Sequence, residues 1–170
     1  MITIDRYNNN FLNEWEEIVH NSNNGTLFHT RKFLSYHSKD RFVDHSLIIY
    51  KNNKPLSVFP AVEIIEPNKK ILVSHPGASM GSFVTPENLS FSDALQLVEQ
   101  LNMYIKKQKF SRVKITLPPI IYNKRQTNYI DYSLLRSGYK YIKREVSSIL
   151  FLEDSIEKNV NKFNPSHRQA

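Results

Sequence analysis

A glycine-containing loop near the middle of the sequence is the first segment whose residue types suit chemistry. It reads His75-Pro76-Gly77-Ala78-Ser79-Met80-Gly81-Ser82. Because Gly77 and Gly81 bracket small or flexible residues, backbone N–H groups of the loop can face an anionic or carbonyl ligand. The alternative is a strand-to-helix connection that needs glycine only for tight geometry. The sequence leaves both interpretations open.

His75 is the titratable side chain of this loop. A residue that precedes proline is biased toward extended backbone. The His75 ring is therefore expected to project from the end of a strand, where site residues are common. A packing role in a partly buried position is the alternative.

The residues leading into the second predicted helix are the other candidate. Phe28-His29-Thr30-Arg31-Lys32-Phe33 places basic side chains at a helix N-terminus, which can hold phosphate or carboxylate groups. The alternative is ordinary capping by Thr30, with Arg31 and Lys32 solvated. Tyr36 follows Lys32 by one turn and either shares its face or packs.

The residue types exclude several other kinds of site. Cysteine is absent, which removes disulfides and thiolate metal centres. The six histidines form no HxxxH or HxH pattern with a carboxylate at suitable spacing, so no metal site is predicted. The chain also has no GxSxG nucleophile elbow, no P-loop and no GxGxxG pattern.

Charge is distributed unevenly along a chain of net charge +7. Residues 1–102 hold 9 Lys and Arg against 11 Asp and Glu, whereas residues 103–170 hold 14 against 5. This excess indicates an anionic partner such as phosphate, nucleic acid or an acidic membrane surface. Dispersed, solvated lysines are the alternative. Tyrosines interleave with basic residues between Tyr122 and Arg144, but no RNP-type RNA-binding motif accompanies them.

Hydrophobic periodicity and turn residues predict the element order β-α-α-β-β-β-α-β-α-β. The predicted strands are 2–7, 45–51, 55–66, 70–74, 112–117 and 139–152. The predicted helices cover residues 11–19, 31–38, 90–109 and 131–137. This order predicts an α/β fold, in which a mixed, mostly antiparallel sheet is flanked by helices.

Turn and cap residues set the ends of these elements. Asn21–Gly25 stops the first helix, and Asn52-Asn53 is a two-residue hairpin turn of the type that accepts positive φ. Ser90 or Ser92 caps the long helix, with Asp93 expected to complete a capping box. Gly138 is expected to follow the end of the last helix.

The length suits one domain, and no run of about 18 apolar residues is available to span a membrane. The N-terminal residues carry no signal-peptide pattern, and we expect a cytoplasmic protein. Asp154–Phe163 has the pattern of a helix, and a second basic segment after it is cut off within one turn. The predicted domain is 1–152, and residues 153–170 are expected to begin a helix that continues into a larger protein.

Taken together, these segments resemble the Fem aminoacyltransferase (FemAB-like) family, whose members are built from two GNAT-type acyltransferase halves. The stretches that carry the resemblance are Gly25–Leu34, Pro55–Ala61, Ser74–Phe83, Leu135–Tyr139, Glu145–Leu150 and Phe163–Arg168. Ser74–Phe83 is similar to the family's glycine loop before the long helix. The last stretch is similar to the Arg-containing helix that links the two halves. Phe33 stands where the family more often has Trp.

The resemblance implies a GNAT-like fold that transfers an activated acyl or aminoacyl group onto an amine of a cell-wall or glycan precursor. The implied donor is an aminoacyl-tRNA or an acyl thioester such as acyl-CoA, held by the second half. We expect no cofactor in this half and assign no catalytic residue. The substrate-binding residues predicted from the loop and from the resemblance are Lys32, Tyr36, His75, Gly77, Ser79, Gly81 and Arg168.

One departure from the pattern concerns the donor. Acyl-CoA-binding GNAT proteins usually hold pyrophosphate with an R/Q-x-x-G-x-G/A turn before the long helix, and Gly77 and Gly81 do not form that turn. We therefore expect that this half does not bind CoA in the standard way. The alternative function is a non-catalytic binding module for an anionic ligand, RNA or a nucleotide-sugar precursor. That module would use the basic C-terminal third, and peripheral membrane contact also stays open.

Overall fold

The computed structural model describes residues 1–38, 41–146 and 148–163, which divide into two units, Met1–Tyr139 and Lys140–Ala170. The strands of the first unit are β1 (Ile2–Arg6), β2 (Val43–Asp44), β3 (Leu47–Lys51), β4 (Lys54–Phe59), β5 (Val62–Glu66), β6 (Lys69–Val73) and β7 (Arg112–Lys114). Its α-helices are α1 (Leu12–Asn21), α2 (Arg31–Leu34), α3 (Phe91–Lys107) and α4 (Tyr129–Arg136). The second unit contains α5 (Ile156–Val160). No helix in the described part of the chain is long and apolar enough to cross a membrane.

The strands of the first unit form two sheets. One is antiparallel, in the order β1-β3-β4. The other has the order β2-β5-β6-β7, in which β6 and β7 are parallel and the remaining pairs are antiparallel. The predicted α/β class, with mostly antiparallel strands flanked by helices, is therefore confirmed.

The strands separate into the two sheets at Pro60 and Ser46. Pro60 has no N–H to donate, and the predicted strand 55–66 divides there into β4 and β5. On the neighbouring strand, the Ser46 hydroxyl accepts a hydrogen bond from the N–H of Ala61 at 3.2 Å. The N–H of His45 donates to the carbonyl of Ala61 at 2.9 Å. The chain passes from one sheet to the other at this point.

The first sheet is buried on both faces, because successive side chains of a strand point to opposite sides. Ile49 and Phe59 belong to a hydrophobic cluster that includes the predicted apolar stripe of α3. Ile48 and Val58 belong to a second cluster, with Trp15 of α1. These side chains are 0% exposed, and each contributes roughly 1.5–3 kcal/mol by burial.

The start of α3 and the end of α4 follow the predicted signals, apart from the expected capping box. Ser90 caps α3, since its hydroxyl accepts a hydrogen bond from the N–H of Asp93 at 3.1 Å. Asp93 does not complete a capping box, because its carboxylate binds Lys51 Nζ on β3 at 2.6 Å. Gly138, with a φ of 88°, follows α4 as predicted.

The predicted strand 139–152 is absent from the described residues of that segment. Tyr139 instead closes the first unit, where its hydroxyl donates to Asn102 Oδ1 at 2.7 Å. Residues 140–146 and 148–152 have no ladder partner within their own unit. A lone strand leaves its backbone groups unpaired, so it is not stable by itself. The domain boundary at residue 152 stays a prediction.

Two adjacent asparagines after α1 bind segments that are distant in sequence. The side chain of Asn24 donates to the carbonyl of Phe83 at 2.8 Å and accepts from the N–H of Thr85 at 2.9 Å. The side chain of Asn23 donates to the carbonyl of Arg125 at 3.0 Å and accepts from its N–H at 2.7 Å. Both asparagines are buried. We call Asn23 and Asn24 the asparagine pair.

Replacing Asn24 with alanine should lower the free energy of unfolding by about 2–4 kcal/mol, because the buried backbone groups of Phe83 and Thr85 lose their partners. Urea denaturation measures the loss. Asn13→Ala is the matched control, since Asn13 is exposed on α1 and its replacement should change stability by less than about 0.5 kcal/mol. Equal losses in the two variants would contradict the assigned role of Asn24.

Candidate functional site

The candidate site lies at the carboxyl end of β6, beside the parallel strand β7. Ser74 extends this pairing, because its N–H donates to the carbonyl of Lys114 at 2.8 Å and its hydroxyl accepts from the N–H of Thr116 at 2.7 Å. The N–H of Gly81 donates to the carbonyl of Thr116 at 2.9 Å. The loop 75–80 therefore leaves and returns at one fixed point of the sheet.

Gly77 lets this loop approach the turn that follows α2. Its φ is 94°, in the left-handed region that favours glycine. A Cβ at this position would lie 2.3 Å from Nε2 of His37. Glycine is therefore required here both by the backbone conformation and by the closeness of the histidine ring.

Aromatic and imidazole rings form an edge-to-face series beside the loop. The ring centroids are 5.3 Å apart for Tyr36 and His37, 5.1 Å for His37 and Phe42, and 5.4 Å for Phe42 and His75. Arg41 continues the series, since its Nη1 lies 3.1 Å from Nδ1 of His37. We call the following five residues the loop site: Tyr36, His37, Phe42, His75 and Gly77.

His75 is held as a neutral imidazole. It is 4% exposed, and its Nδ1 lies 3.1 Å from the carbonyl of Pro76. Because a carbonyl can only accept, Nδ1 carries the proton and Nε2 keeps a lone pair. Burial lowers the pKa of His75 below its usual 6.5 and outweighs the opposing charge of Asp44. A histidine in this state can accept a proton at Nε2 at neutral pH.

The predicted substrate-binding residues fall in different places. Tyr36, His75 and Gly77 belong to the loop site, while Lys32 and Ser79 are exposed on α2 and on the loop. Both backbone groups of Gly81 already bind the protein, because its carbonyl accepts from Nε2 of His29 at 3.2 Å. Arg168 lies outside the described residues.

The N-terminus of α2, a predicted anion site, is filled by the protein itself. The carboxylate of Glu16 accepts a hydrogen bond from the N–H of Arg31 at 2.7 Å. The hydroxyl of Thr30 accepts from the N–H of Phe33 at 3.2 Å and caps the helix as predicted. The helix is also shorter than the predicted 31–38, ending at Leu34. Of the two interpretations of this terminus, the structure shows capping by Thr30, and the N–H of Arg31 is already bound by Glu16.

One sequence interpretation required a solvated Arg31 side chain, and the other required one open to a ligand. The structure shows neither. The Arg31 guanidinium lies 3.9 Å from the ring centroid of Tyr7, donates to Ser46 Oγ at 3.1 Å and pairs with Asp44. Burial alone would raise the pKa of Asp44, but the charge of Arg31 and the hydrogen bonds from Ser46 hold it below its usual 3.8. Arg31 links α2 to β2 internally.

His29, which lies in the candidate segment before α2 but was assigned no role of its own, is a buried histidine. It is 0% exposed, with Nδ1 accepting from the N–H of Thr26 at 3.1 Å and Nε2 donating to the carbonyl of Gly81 at 3.2 Å. Burial lowers the pKa of His29 below 6.5. Its neutral ring fixes the far end of the loop against the 3-10 turn Leu27–His29.

Ser82, at the end of the loop, carries local strain. Its φ is 74°, its side chain is 1% exposed, and its Oγ has no hydrogen-bond partner among the described residues. A left-handed serine and an unpaired buried hydroxyl both reduce stability. The strain lies where the chain leaves the loop and enters the segment bound by Asn24.

The first turn of α3 holds an ion pair of the protein itself. The carboxylate of Asp93 lies in the first turn, paired with Lys51 at 2.6 Å. The hydrogen bond from Lys51 lowers the pKa of Asp93 below 3.8 and keeps the carboxylate charged. An ion pair of the protein therefore already occupies the first turn, where the helix dipole would favour an added anion.

Several solved structures have a fold similar to that of this chain. A GNAT family acetyltransferase from Staphylococcus aureus has a TM-score of 0.54 and 13% identity, covering 88% of this chain and 98% of that one. A ribosomal-protein-alanine N-acetyltransferase from Brucella melitensis has a TM-score of 0.53 and 12% identity, covering 89% and 100%. This chain has the GNAT acetyltransferase fold. An aminoglycoside acetyltransferase from an uncultured soil sample, solved with sisomicin, has a TM-score of 0.50 and 11% identity, covering 90% and 97%.

No protein-family model matches the sequence, and no curated protein matches it either. At such low identities, the structural similarity establishes the GNAT fold alone. Within that fold, the loop site lies at the carboxyl end of a parallel strand pair, a usual location for ligand sites in α/β proteins. The function of the chain therefore has to be inferred from the residues of the loop site themselves.

The free energy of unfolding should fall as the pH is lowered from about 7.5 to about 5.5. The reason is that His29 takes up a proton more readily in the unfolded chain than in the folded protein, where burial keeps it neutral. The folded pKa of His29 lies below 6.5, so its contribution is complete above that pH and is lost as the pH falls through the folded value. Urea midpoints at the two pH values measure the change.

His29→Gln keeps an acceptor suited to the capping box and removes the titration, so it should reduce this pH dependence. His20→Gln is the matched control, since His20 is exposed at the end of α1. An unchanged pH dependence in His29→Gln would show that His29 does not contribute.

Proposed function

We propose that this chain is the GNAT-type first half of a Fem-like transferase. It would move an activated acyl or aminoacyl group onto an amine of a cell-wall or glycan precursor in the cytoplasm. The observation that carries the proposal is neutral His75, held at the carboxyl end of the parallel β6–β7 pair in a GNAT fold. The names of two structural neighbours, an aminoglycoside acetyltransferase and a ribosomal-protein-alanine N-acetyltransferase, support acyl transfer to an amine in general.

The surroundings of the loop site suit a charged precursor. Lys32 and Arg41 are exposed cations on either side of the turn after α2, and they suit phosphate or carboxylate groups. Tyr36 is 80% exposed and offers a ring face to a sugar or a base. The exposed backbone at Gly77 and Ser79 would complete the acceptor site from the loop.

His75 supplies the proton acceptor that the chemistry needs. The acceptor amine attacks the acyl carbonyl carbon, so that a C–N bond forms and the C–O bond of the donor ester breaks. The proton released by the amine passes to Nε2 of His75 and then to the leaving oxygen, which leaves the histidine neutral again. Holding the amine and the acyl carbonyl close together in the reactive orientation supplies much of the remaining rate enhancement.

For the donor we propose an aminoacyl-tRNA rather than acyl-CoA. The ion pair of Asp93 and Lys51 at the start of α3 supports this choice, because it occupies the first turn of the helix, where the dipole would favour a pyrophosphate. The proposal includes a second half that holds the donor and a contact from Arg168 to the substrate.

A second candidate is a non-catalytic binding module for RNA or a nucleotide-sugar precursor. A basic surface favours it: five cations follow one another from the end of α3 through β7 and are all exposed, namely Lys106, Lys107, Lys109, Arg112 and Lys114. In the described part of the chain, none of them forms an ion pair. Such a surface can bind phosphates without catalysis.

The test is transfer of a labelled group from charged tRNA or acyl-CoA to amine-bearing precursors, by this chain and by its longest natural form. His75→Asn keeps a donor for the Pro76 carbonyl but removes Nε2. It should lower kcat by about 100-fold or more with little change in KM. Lys32→Met should instead raise KM several-fold at a similar kcat.

His20→Asn is the matched control, because it removes an exposed histidine outside the loop site. Transfer that is equally fast in His75→Asn and His20→Asn would rule out His75 as the proton acceptor. Salt-sensitive binding of RNA or precursor without transfer from any donor would favour the binding module instead.

A further inference from the structure

A cleft outside the loop site carries chemistry that acyl transfer does not use. It lies between α1 and the first residues of β4, and its volume is about 280 Å³. The residues that line it are Glu14, Glu17, Ile18, Asn21, Ser22, Pro55, Leu56 and Pro86. It shares no residue with the loop site.

The helix geometry explains how α1 forms one wall. Glu14, Glu17, Ile18 and Asn21 follow the i, i+3, i+4, i+7 spacing of one helix face. The apolar side chains of the cleft provide its other surfaces, among them Leu56 of β4. The wall from α1 thus presents two carboxylates above an apolar surface.

One carboxylate is fixed in position, and neither is neutralised. The hydroxyl of Tyr50 donates to Oε2 of Glu14 at 3.0 Å. Burial raises the pKa of Tyr50, and the hydrogen bond to Glu14 and its charge raise it further, so the phenol stays a donor. Among the described residues, no Lys, Arg or His pairs with Glu14 or Glu17, although the chain as a whole is cationic.

We propose that this cleft binds a small organic ammonium ion that has an apolar body. The ammonium group would lie between Glu14 and Glu17, and the apolar body would lie against Ile18, Leu56 and Pro86. Charge complementarity selects a cation over an anion or a neutral molecule. The volume lies at the lower end of the range for ligand pockets, so the ligand is small rather than nucleotide-sized.

This site goes beyond the proposed acyl transfer and does not depend on it. A ligand here would contact α1 and β4, which also carry Trp15 and Val58 of the second hydrophobic cluster. The site can therefore be tested on the isolated chain by binding alone, whatever reaction the loop site performs.

The experiment titrates the isotope-labelled chain with hexylammonium chloride and follows backbone amide shifts by NMR at neutral pH, where the amine is charged. The neutral probe hexan-1-ol has the same apolar body. We expect saturable shifts at Asn21, Ser22 and Leu56, with hexylammonium binding at least about fivefold more tightly than hexan-1-ol.

The double variant Glu14→Gln, Glu17→Gln should abolish this preference, while the control Glu99→Gln, which removes an exposed carboxylate of α3, should keep it. Equal affinity of the two probes for the unmodified chain would overturn the proposal. So would no saturation below about 50 mM hexylammonium, or a preference that survives in the double variant. An unchanged amide spectrum in the double variant confirms that its fold is intact.

Discussion

The side-chain amides of Asn23 and Asn24 are the constraint on which the rest of the first unit depends. They bring together the end of α1, the segment after the loop and the connection that leads to α4. Ordering a long connection costs roughly 1–2 kcal/mol for each residue, so the segment between β6 and α3 needs such anchors. The asparagine pair holds one end of this segment, while Ser74 holds the other at the sheet. His75 and Gly77 are positioned between these two anchors.

Local signals were sufficient to predict most helices and turns. The stripe of α3 and its Ser90 cap were predicted because they depend on residues within two turns. Asn52 and Asn53 adopt positive φ values of 50° and 61°, as their place in a two-residue hairpin turn requires. The α/β class followed from the order of these elements. The histidine and glycine of the loop were singled out as well, because their residue types alone suggest a site.

Contacts between distant residues could not be predicted in the same way. Asn24 binds Thr85, 61 positions away, and in the sequence it only marks the end of a helix. Glu16 fills the N-terminus of α2, which therefore cannot serve as the anion site that its residues suggest. The sheets separate at Pro60, where the hydroxyl of Ser46, 15 positions earlier in the chain, binds the N–H of Ala61. In each case the deciding partner is set by packing, which local patterns do not encode.

In this GNAT fold, Asn24 and Ser74 fix the two ends of the segment that carries His75. The asparagine pair makes this arrangement rigid, and amide hydrogen exchange at the residues it binds measures that rigidity. Thr85 and Arg125 should exchange as slowly as Ile48 in the buried strand β3, through global unfolding. Exchange as fast as that of exposed Ser79 would show that the asparagine pair does not provide this rigidity.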